Sequence, residues 1–297
     1  MNKIGIMQGR LLPKDIKRYQ VFPSDTWEEE FGVCKRSGFS AIELLFDIDA
    51  YYDNPLMCSS GQEKIVKLSK SSNISVLSVC ADFFKKYGFF QNSQQVKESN
   101  IFVLRKLVEA CGSIGCGVLL IPFLEETEIR NKKDKEDIVR TVDLMDKLLE
   151  KYGVDICLET TLCSEEITEF MEKIDRPHVK VYYDIGNGAY FKYNPSEEIL
   201  RLSKWICGIH IKDRDEKGCN VVLGTGLVDF AACFESIKKI GYKGSYILET
   251  TMCDDPVATA TKNLEFVKTF IVLPQYYGCK PVDEVIRRRR TGGSLKP

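Results

Sequence analysis

The sequence predicts an α/β protein built as one (β/α)8 TIM barrel, and three observations predict it. Short apolar, β-branched runs recur eight times, each followed by a segment of helical character. Such regular alternation implies a parallel sheet covered by helices. Second, the eight units fill residues 1–272, and a closed barrel of this kind needs about 250 residues. Third, the first unit ends in Met7-Gln8-Gly9-Arg10-Leu11. That turn lacks the G-x-G-x-x-G with which a doubly wound open sheet usually begins, so the open sheet is the weaker reading.

The first strand is expected over 3–8, and a helix capped by Ser24 or Asp25 runs from Trp27 to just before Gly38. Ala41-Ile42-Glu43-Leu44-Leu45-Phe46 reads as the second strand, followed by a helix over 62–71 carrying Ile65, Val66 and Leu68. The third strand, 74–80, has partial alternation. The helix over 93–113 shows an apolar stripe of Ile101, Leu104, Leu107 and Val108. The fourth strand is 118–122, and a charged helix over 132–152 stops at Gly153. The fifth strand is 154–159, with a helix over 164–174. The sixth, Val179-Lys180-Val181-Tyr182-Tyr183-Asp184, ends in a carboxylate and a Gly186-Asn187 turn. Asn194-Pro195-Ser196 opens the next helix. The seventh strand is 205–211, followed by a polar loop with Gly218, Gly224 and Gly226 and a helix over 229–240. The eighth is 245–249, with a last helix over 256–270. Residues 273–297 fit no unit. With Arg287-Arg288-Arg289-Arg290 they read as a basic C-terminal extension, a solvated tail or else an arm on a partner subunit.

The bulk numbers narrow the class. Lys and Arg total 42 against 43 Asp and Glu, a formal net charge of -1. That balance argues against a broad nucleic-acid or membrane surface. No apolar run approaches the roughly 20 residues of a membrane span, and no secretory leader is expected at Met1-Asn2-Lys3. The 12 cysteines form no C-x-x-C pair, and Cys157, Cys207 and Cys233 sit in apolar runs. They read as small core residues and free thiols in a reduced, cytoplasmic protein.

In a parallel barrel the chemistry gathers at the C-terminal ends of the strands. Those ends read Gln8, Glu43 (slightly inside), Cys80 to Asp82, Pro122, Glu159, Asp184, His210 and Glu249. A lone carboxylate after a strand is usually a helix cap or a loop ion pair. Four consecutive strands delivering Glu, Asp, His and Glu to one rim point instead to a divalent metal. Only two histidines exist in the chain, and the other, His178, precedes its strand and is given no function. Three carboxylates and one imidazole suit Mn²⁺ first, with Co²⁺, Mg²⁺ and Zn²⁺ as alternatives. Leu158-Glu159-Thr160-Thr161 and Leu248-Glu249-Thr250-Thr251 repeat one phrase. Glutamates on the fifth and eighth strands can face each other across a substrate and work as a two-base pair.

The span 1–270 resembles the xylose isomerase-like sugar isomerase/epimerase superfamily, and its ketose 3-epimerase and hydroxypyruvate isomerase branch most. The resemblance rests on Gly5-Ile6-Met7-Gln8-Gly9-Arg10-Leu11, Leu158-Glu159, Tyr183-Asp184-Ile185-Gly186-Asn187, His210-Ile211-Lys212-Asp213, the stretch 223–230 and Leu248-Glu249-Thr250. It implies that Glu159, Asp184, His210 and Glu249 hold one divalent metal and that Glu159 and Glu249 are also the acid/base pair. It implies substrate contacts from Glu165, six residues after Glu159, and from an arginine near Arg214. Where the ketose epimerases carry a substrate-binding His, this chain has Asn187. The superfamily's DNA-repair endonucleases need a His-rich site that two histidines cannot supply.

The expected activity is isomerisation or epimerisation of a sugar or sugar phosphate by proton transfer through a metal-stabilised enediolate. Gln8 and Glu43 are further candidate substrate contacts at the rim, with Arg10 and Asp82 beside them. Phe83, Phe84, Phe89 and Phe90 are a candidate lid, or else loop packing or a subunit contact. The alternatives are a dehydratase of a cyclic polyol or shikimate-type acid on the same rim, and a non-catalytic sugar-binding barrel. Relatives in the superfamily are often dimers or tetramers, so a homo-oligomer is expected.

Overall fold

Eight parallel strands close into a barrel in sequence order, β1-β2-β3-β4-β5-β6-β7-β8. The structure is a computed structural model and describes residues 3–12, 20–49, 51–90 and 93–271. The extension 273–297, with Arg287–Arg290, lies outside the described residues. The strands are β1 (Ile4–Met7), β2 (Ala41–Leu45), β3 (Ser75–Cys80), β4 (Val118–Phe123), β5 (Asp155–Thr160), β6 (Val179–Asp184), β7 (Ile206–Ile211) and β8 (Ser245–Leu248). Ile4 opposite Tyr246 and Ile6 opposite Leu248 close the ring. The helices are α1 (Trp27–Arg36), α2 (Ser59–Ser72), α3 (Gln94–Ile114), α4 (Lys132–Tyr152), α5 (Ser164–Ile174), α6 (Ile185–Tyr190), α7 (Pro195–Arg201), α8 (Phe230–Lys239) and α9 (Pro256–Ile271).

The strands read as unbroken apolar runs because both faces are covered. One face packs on the helices, in a shell that includes Ile42, Leu104, Leu107, Leu149, Ile209 and Leu264. The other fills the barrel with a separate core of Met7, Leu45, Cys80, Leu120, Cys157, Tyr182 and Ile247. Period-2 alternation along each strand separates the two. Above the interior core, toward the C-terminal ends, the inward positions turn polar: Glu159 after Cys157, Asp184 after Tyr182, Glu249 after Ile247. The apolar floor therefore sets the height of the site.

Two irregularities matter. β6 opposes Val181 to Ile206 but Tyr182 to Gly208, so Cys207 is an extra, unpaired residue on β7. β2 and β3 slip in the same way between Ile42 and Glu43, leaving out Leu77. Both extra residues pack on the barrel interior. Such bulges re-aim a side chain, and this one brings Cys207 to Cys157. The two sulfurs are in close contact, with Cα atoms 7.1 Å apart; an unbulged β7 would turn Cys207 outward. Cys233 is free and buried, as expected.

The turn expected after β6 is a short helix, α6. Asp184 caps it: its Oδ1 accepts a 2.7 Å hydrogen bond from the Asn187 amide. Gly186 makes the helix possible. A Cβ there would stand 2.8 Å from the Lys212 carbonyl oxygen, so only glycine lets α6 settle on the end of β7. Among the described residues, no helix is long and apolar enough to cross a membrane.

Candidate metal centre and active site

Glu159, Asp184, His210 and Glu249 converge at the C-terminal mouth of β5 to β8. Each offers a ligand atom, and the four atoms lie within 4.8 Å of one another. All four residues are buried. His210 Nδ1 is 2.9 Å from Glu249 Oε2 and 3.8 Å from Asp184 Oδ2. Neither His210 Nδ1 nor Asp184 Oδ2 makes a hydrogen bond of normal geometry. A buried imidazole nitrogen aimed at two carboxylates is the arrangement a cation resolves.

The other ring nitrogen is fixed from below. His210 Nε2 lies 2.8 Å from Glu43 Oε1, and Glu43 also accepts from the Ser78 hydroxyl. A carboxylate that takes the Nε2 proton leaves Nδ1 free to bind metal. Glu43 is fully buried and is not among the residues that line the cavity, so the structure does not bring it to the expected substrate position. It sits at the inward position of β2 below Leu45, one layer under the rim. The Tyr182 ring supports the imidazole at a 4.5 Å centroid distance, and Gly208 leaves room for that ring.

The donors fit a divalent ion by charge as well as by distance. Four carboxylates stand in the cluster: Glu43, Glu159, Asp184 and Glu249. Two side-chain cations join them. Lys212 Nζ is 2.8 Å from Asp184 Oδ2 and 3.0 Å from Glu249 Oε1. Arg10 Nη2 is 4.0 Å from Glu249 Oε1. The carboxylates outnumber these cations, an excess of negative charge that a divalent cation would reduce. Without it, protons must serve. Burial, with Asp184 and Glu249 adding to it, pushes the Glu159 carboxyl up to about 8. Burial would favour a neutral His210, but Glu43 and Glu249 outweigh it and hold the imidazole pKa well above its ordinary value. Burial would raise Glu249 too, yet Lys212, His210 and Arg10 hold it well below the usual carboxylate range.

A cavity of about 410 Å³ opens over this cluster. Glu159 and Glu249 line it from strands three apart in the ring, and Asn187, Lys212, Arg214 and Asp82 complete the walls nearest them. Asn187 Nδ2 donates to Glu159 Oε1 at 2.9 Å, and Arg214 Nη1 donates to Asn187 Oδ1 at 2.9 Å. Arg214 is itself anchored. Its Nε and Nη2 donate to the Gly218 carbonyl at 3.1 and 2.8 Å, and its guanidinium lies 4.0 Å from the Tyr190 ring centroid. Buried Asp213 holds the loop that carries Arg214, accepting from the amides of Gly224, Gly226 and Val228 at 2.9, 2.8 and 3.1 Å.

Other expected contacts do not reach the cavity. Glu165 is on the outside of α5, exposed and paired with Arg201 at 2.8 Å. The six-residue spacing from Glu159 carries the chain around the loop and into the helix before Glu165 is reached. Gln8 is buried, and its Oε1 accepts the Leu45 amide at 3.0 Å, so it stitches β1 to β2. Phe83, Phe84, Phe89 and Phe90 pack among themselves and on Phe46 and Phe123; they are loop packing, not a lid on the cavity. Asp82 does line the cavity, paired with Lys85 at 2.9 Å. His178 binds Asp155 at 2.9 Å, away from the site. Lys212 went unread in the sequence. The signal was there, since Gly208, His210 and Lys212 follow the inward period of β7.

A family model described as Xylose isomerase-like TIM barrel matches residues 31–270. The chain belongs to that family. Among its relatives, SgbU of Haemophilus influenzae, provisionally named an L-ribulose-5-phosphate 3-epimerase, is 27% identical over 271 residues, covering 84% of this chain and 88% of that protein. The L-ribulose-5-phosphate 3-epimerase UlaE of Escherichia coli is 22% identical over 273 residues, covering 88% of this chain and 96% of that one. Among solved structures, a D-allulose 3-epimerase from Methylomonas sp. superposes with a TM-score of 0.71 at 16% identity, covering 91% of this chain and 98% of that one. The last likeness concerns the fold alone.

Proposed function

We propose that this family member is a divalent-metal-dependent epimerase of a ketose or ketose phosphate, with L-ribulose 5-phosphate the first substrate to try. The observation that carries the reading is the pair Glu159 and Glu249. They line one cavity from strands three apart in the ring, and both belong to a cluster that could hold a divalent ion. The named relatives, which match over most of both chains, direct the choice of substrate. Mn²⁺ is the first choice of metal, since three of the four donors are carboxylates. Bound there, the ion would draw electron density from the carbonyl of an α-hydroxy ketone and so acidify the neighbouring C–H.

The residues of the chain do the rest. One glutamate takes the proton from one face of the α-carbon, and the other returns a proton to the opposite face, inverting the centre. Asn187 holds Glu159 in register through its amide, and Arg214 holds Asn187. Glu43 keeps the His210 ring from turning. Buried walls exclude bulk water from the cluster, which strengthens each of these contacts.

The test is incubation of the Mn²⁺-loaded protein with L-ribulose 5-phosphate in D₂O. Deuterium should enter at C3 with formation of the 3-epimer, and stripping the metal should stop it. Absence of exchange with every ketose and ketose phosphate tried, or full rate in stripped protein, would sink the reading. Loss of water without exchange would point to the dehydratase alternative.

A further inference from the structure

The cation built into the ligand cluster is Lys212. It lies two residues past His210, at the next inward position of β7. Its side chain is 7% exposed, and its ammonium bridges Asp184 Oδ2 and Glu249 Oε1 at 2.8 and 3.0 Å. Its stem fits against Gly186, where a Cβ would stand 3.0 Å from Lys212 Cγ. The same side chain lines the cavity beside Glu159, Asn187 and Glu249. A lysine that only neutralised carboxylates could do so from the protein side; this one stands at the surface a substrate would meet.

We infer that Lys212 is a catalytic electrophile, donating a hydrogen bond to the substrate oxygen that gains negative charge as the α-proton leaves. This rests on the epimerase reading above. When Glu249 accepts the proton, the C–H bond breaks, its electron pair forms the new C=C bond, and the carbonyl π pair moves onto the former carbonyl oxygen. The negative charge passes from Glu249 to the substrate, and the total charge of the site is unchanged. Lys212 touches Glu249 and faces the cavity, so it stands next to the charge before and after the transfer. The reverse step, with Glu249 giving the proton up, returns the charge to its carboxylate. A fixed cation with up to three donors, placed in advance where charge develops, lowers the barrel's reorganisation cost during the reaction. Arg10 approaches the same carboxylate, at 4.0 Å, but does not line the cavity.

The experiment compares the wild type, Lys212→Met and Lys212→Ala, all loaded with Mn²⁺ and assayed by deuterium exchange on L-ribulose 5-phosphate. Metal content and melting temperature are measured beside activity. The expected result for Lys212→Met is one metal per chain, a folded protein, and kcat lowered about 10²–10³-fold with a much smaller change in KM. Ethylammonium added to Lys212→Ala should restore rate in proportion to its concentration, which a purely structural lysine would not allow. The inference is overturned if Lys212→Met keeps its metal and turns over within threefold of the wild type. It is also overturned if the variant loses metal and saturating Mn²⁺ brings back the full rate, for then the lysine only holds the ligands. Failure of Lys212→Met to fold shifts the decision to Lys212→Ala, where no response to amine overturns it. A wild type that exchanges no deuterium with any ketose or ketose phosphate refutes the epimerase reading, and this inference with it; exchange in metal-loaded Lys212→Met within threefold of the wild type refutes the inference alone.

Discussion

The two halves of the barrel share one pattern and put it to different uses. Strands β5 to β8 carry Glu159, Asp184, His210 and Glu249 to the rim, with Lys212 one inward step beyond. Strands β1 to β4 carry polar residues too, but spend them internally. Gln8 ties β1 to β2, and Glu43 braces His210 from below. The difference is one of height. In the second half the apolar interior layer ends lower, so the next inward side chain, at the strand end or just past it, belongs to the cluster. On β2 the order is reversed, with Glu43 beneath Leu45. The same residue type thus joins the cluster or braces it from below according to its layer.

The sharpest break of this contrast comes from neutralising the two rim glutamates. Glu159→Gln and Glu249→Gln should each lower kcat by about 10²–10⁴-fold, the range of general acid–base catalysis. Circular dichroism should stay close to wild type for both, since Gln fills the same space, while Glu249→Gln should lower the melting temperature by removing the buried partner of Lys212 and His210. Turnover within tenfold of wild type in either variant would show that the pair does not move the proton.

Much of this half was legible in the sequence. The convergence of the four residues was readable because each ends an apolar run, and the run lengths fix where a parallel barrel opens. Glu43 was misplaced because run length does not reveal the slip between Ile42 and Glu43 or the depth of an inward position. Glu165 was implied by the resemblance through its six-residue spacing from Glu159, and a spacing across a loop does not reveal that the side chain stands exposed on α5. Lys212 was given no role because it lies just past the end of β7, although it keeps the inward period of Gly208 and His210. The Cys157–Cys207 contact was unreadable because it depends on a bulge.

Glu43 offers the next test of the division between brace and ligand. Glu43→Gln keeps the shape but exchanges a charged acceptor for a neutral one behind His210. Metal affinity should fall about 10–100-fold, as for other partners of metal-binding histidines, measured by titrating stripped protein with Mn²⁺. Activity at saturating metal should largely recover. Were activity instead lost at saturating metal with affinity intact, Glu43 would belong with the rim.

Acidity gives a smaller, graded effect, and its sign follows from the metal-free site. Glu159, held up to about 8 against an unfolded value near 4.3, binds its proton more tightly when folded. His210 is raised as well. Both therefore stabilise the metal-free fold at low pH, and both contributions fade as pH rises: Glu159 from about 4.3 to 8, His210 above about 6.5. Glu249, held low, acts in the opposite sense, its contribution being lost only as pH falls below the ordinary carboxylate range. The melting temperature of EDTA-treated protein should therefore drop between about pH 5 and 8 relative to the Glu159→Gln variant. The stabilisation brought by Mn²⁺ should grow over the same window, because binding must displace those protons. A metal-induced shift independent of pH would remove the proton-for-metal exchange from the account.

The smallest expected effect is outside the rim altogether. Glu165 faces solvent on α5 and pairs with Arg201, and exposed pairs of this kind add little to stability. Glu165→Ala should leave kcat, KM and metal content at wild-type values, with the melting temperature almost unmoved. A rise in KM without loss of metal would mean that Glu165 swings toward the cavity when substrate arrives. The boundary between the working half of the barrel and its surroundings would then lie on the helix after β5 rather than at the strand end, and the spacing from Glu159 would regain the meaning that this structure denies it.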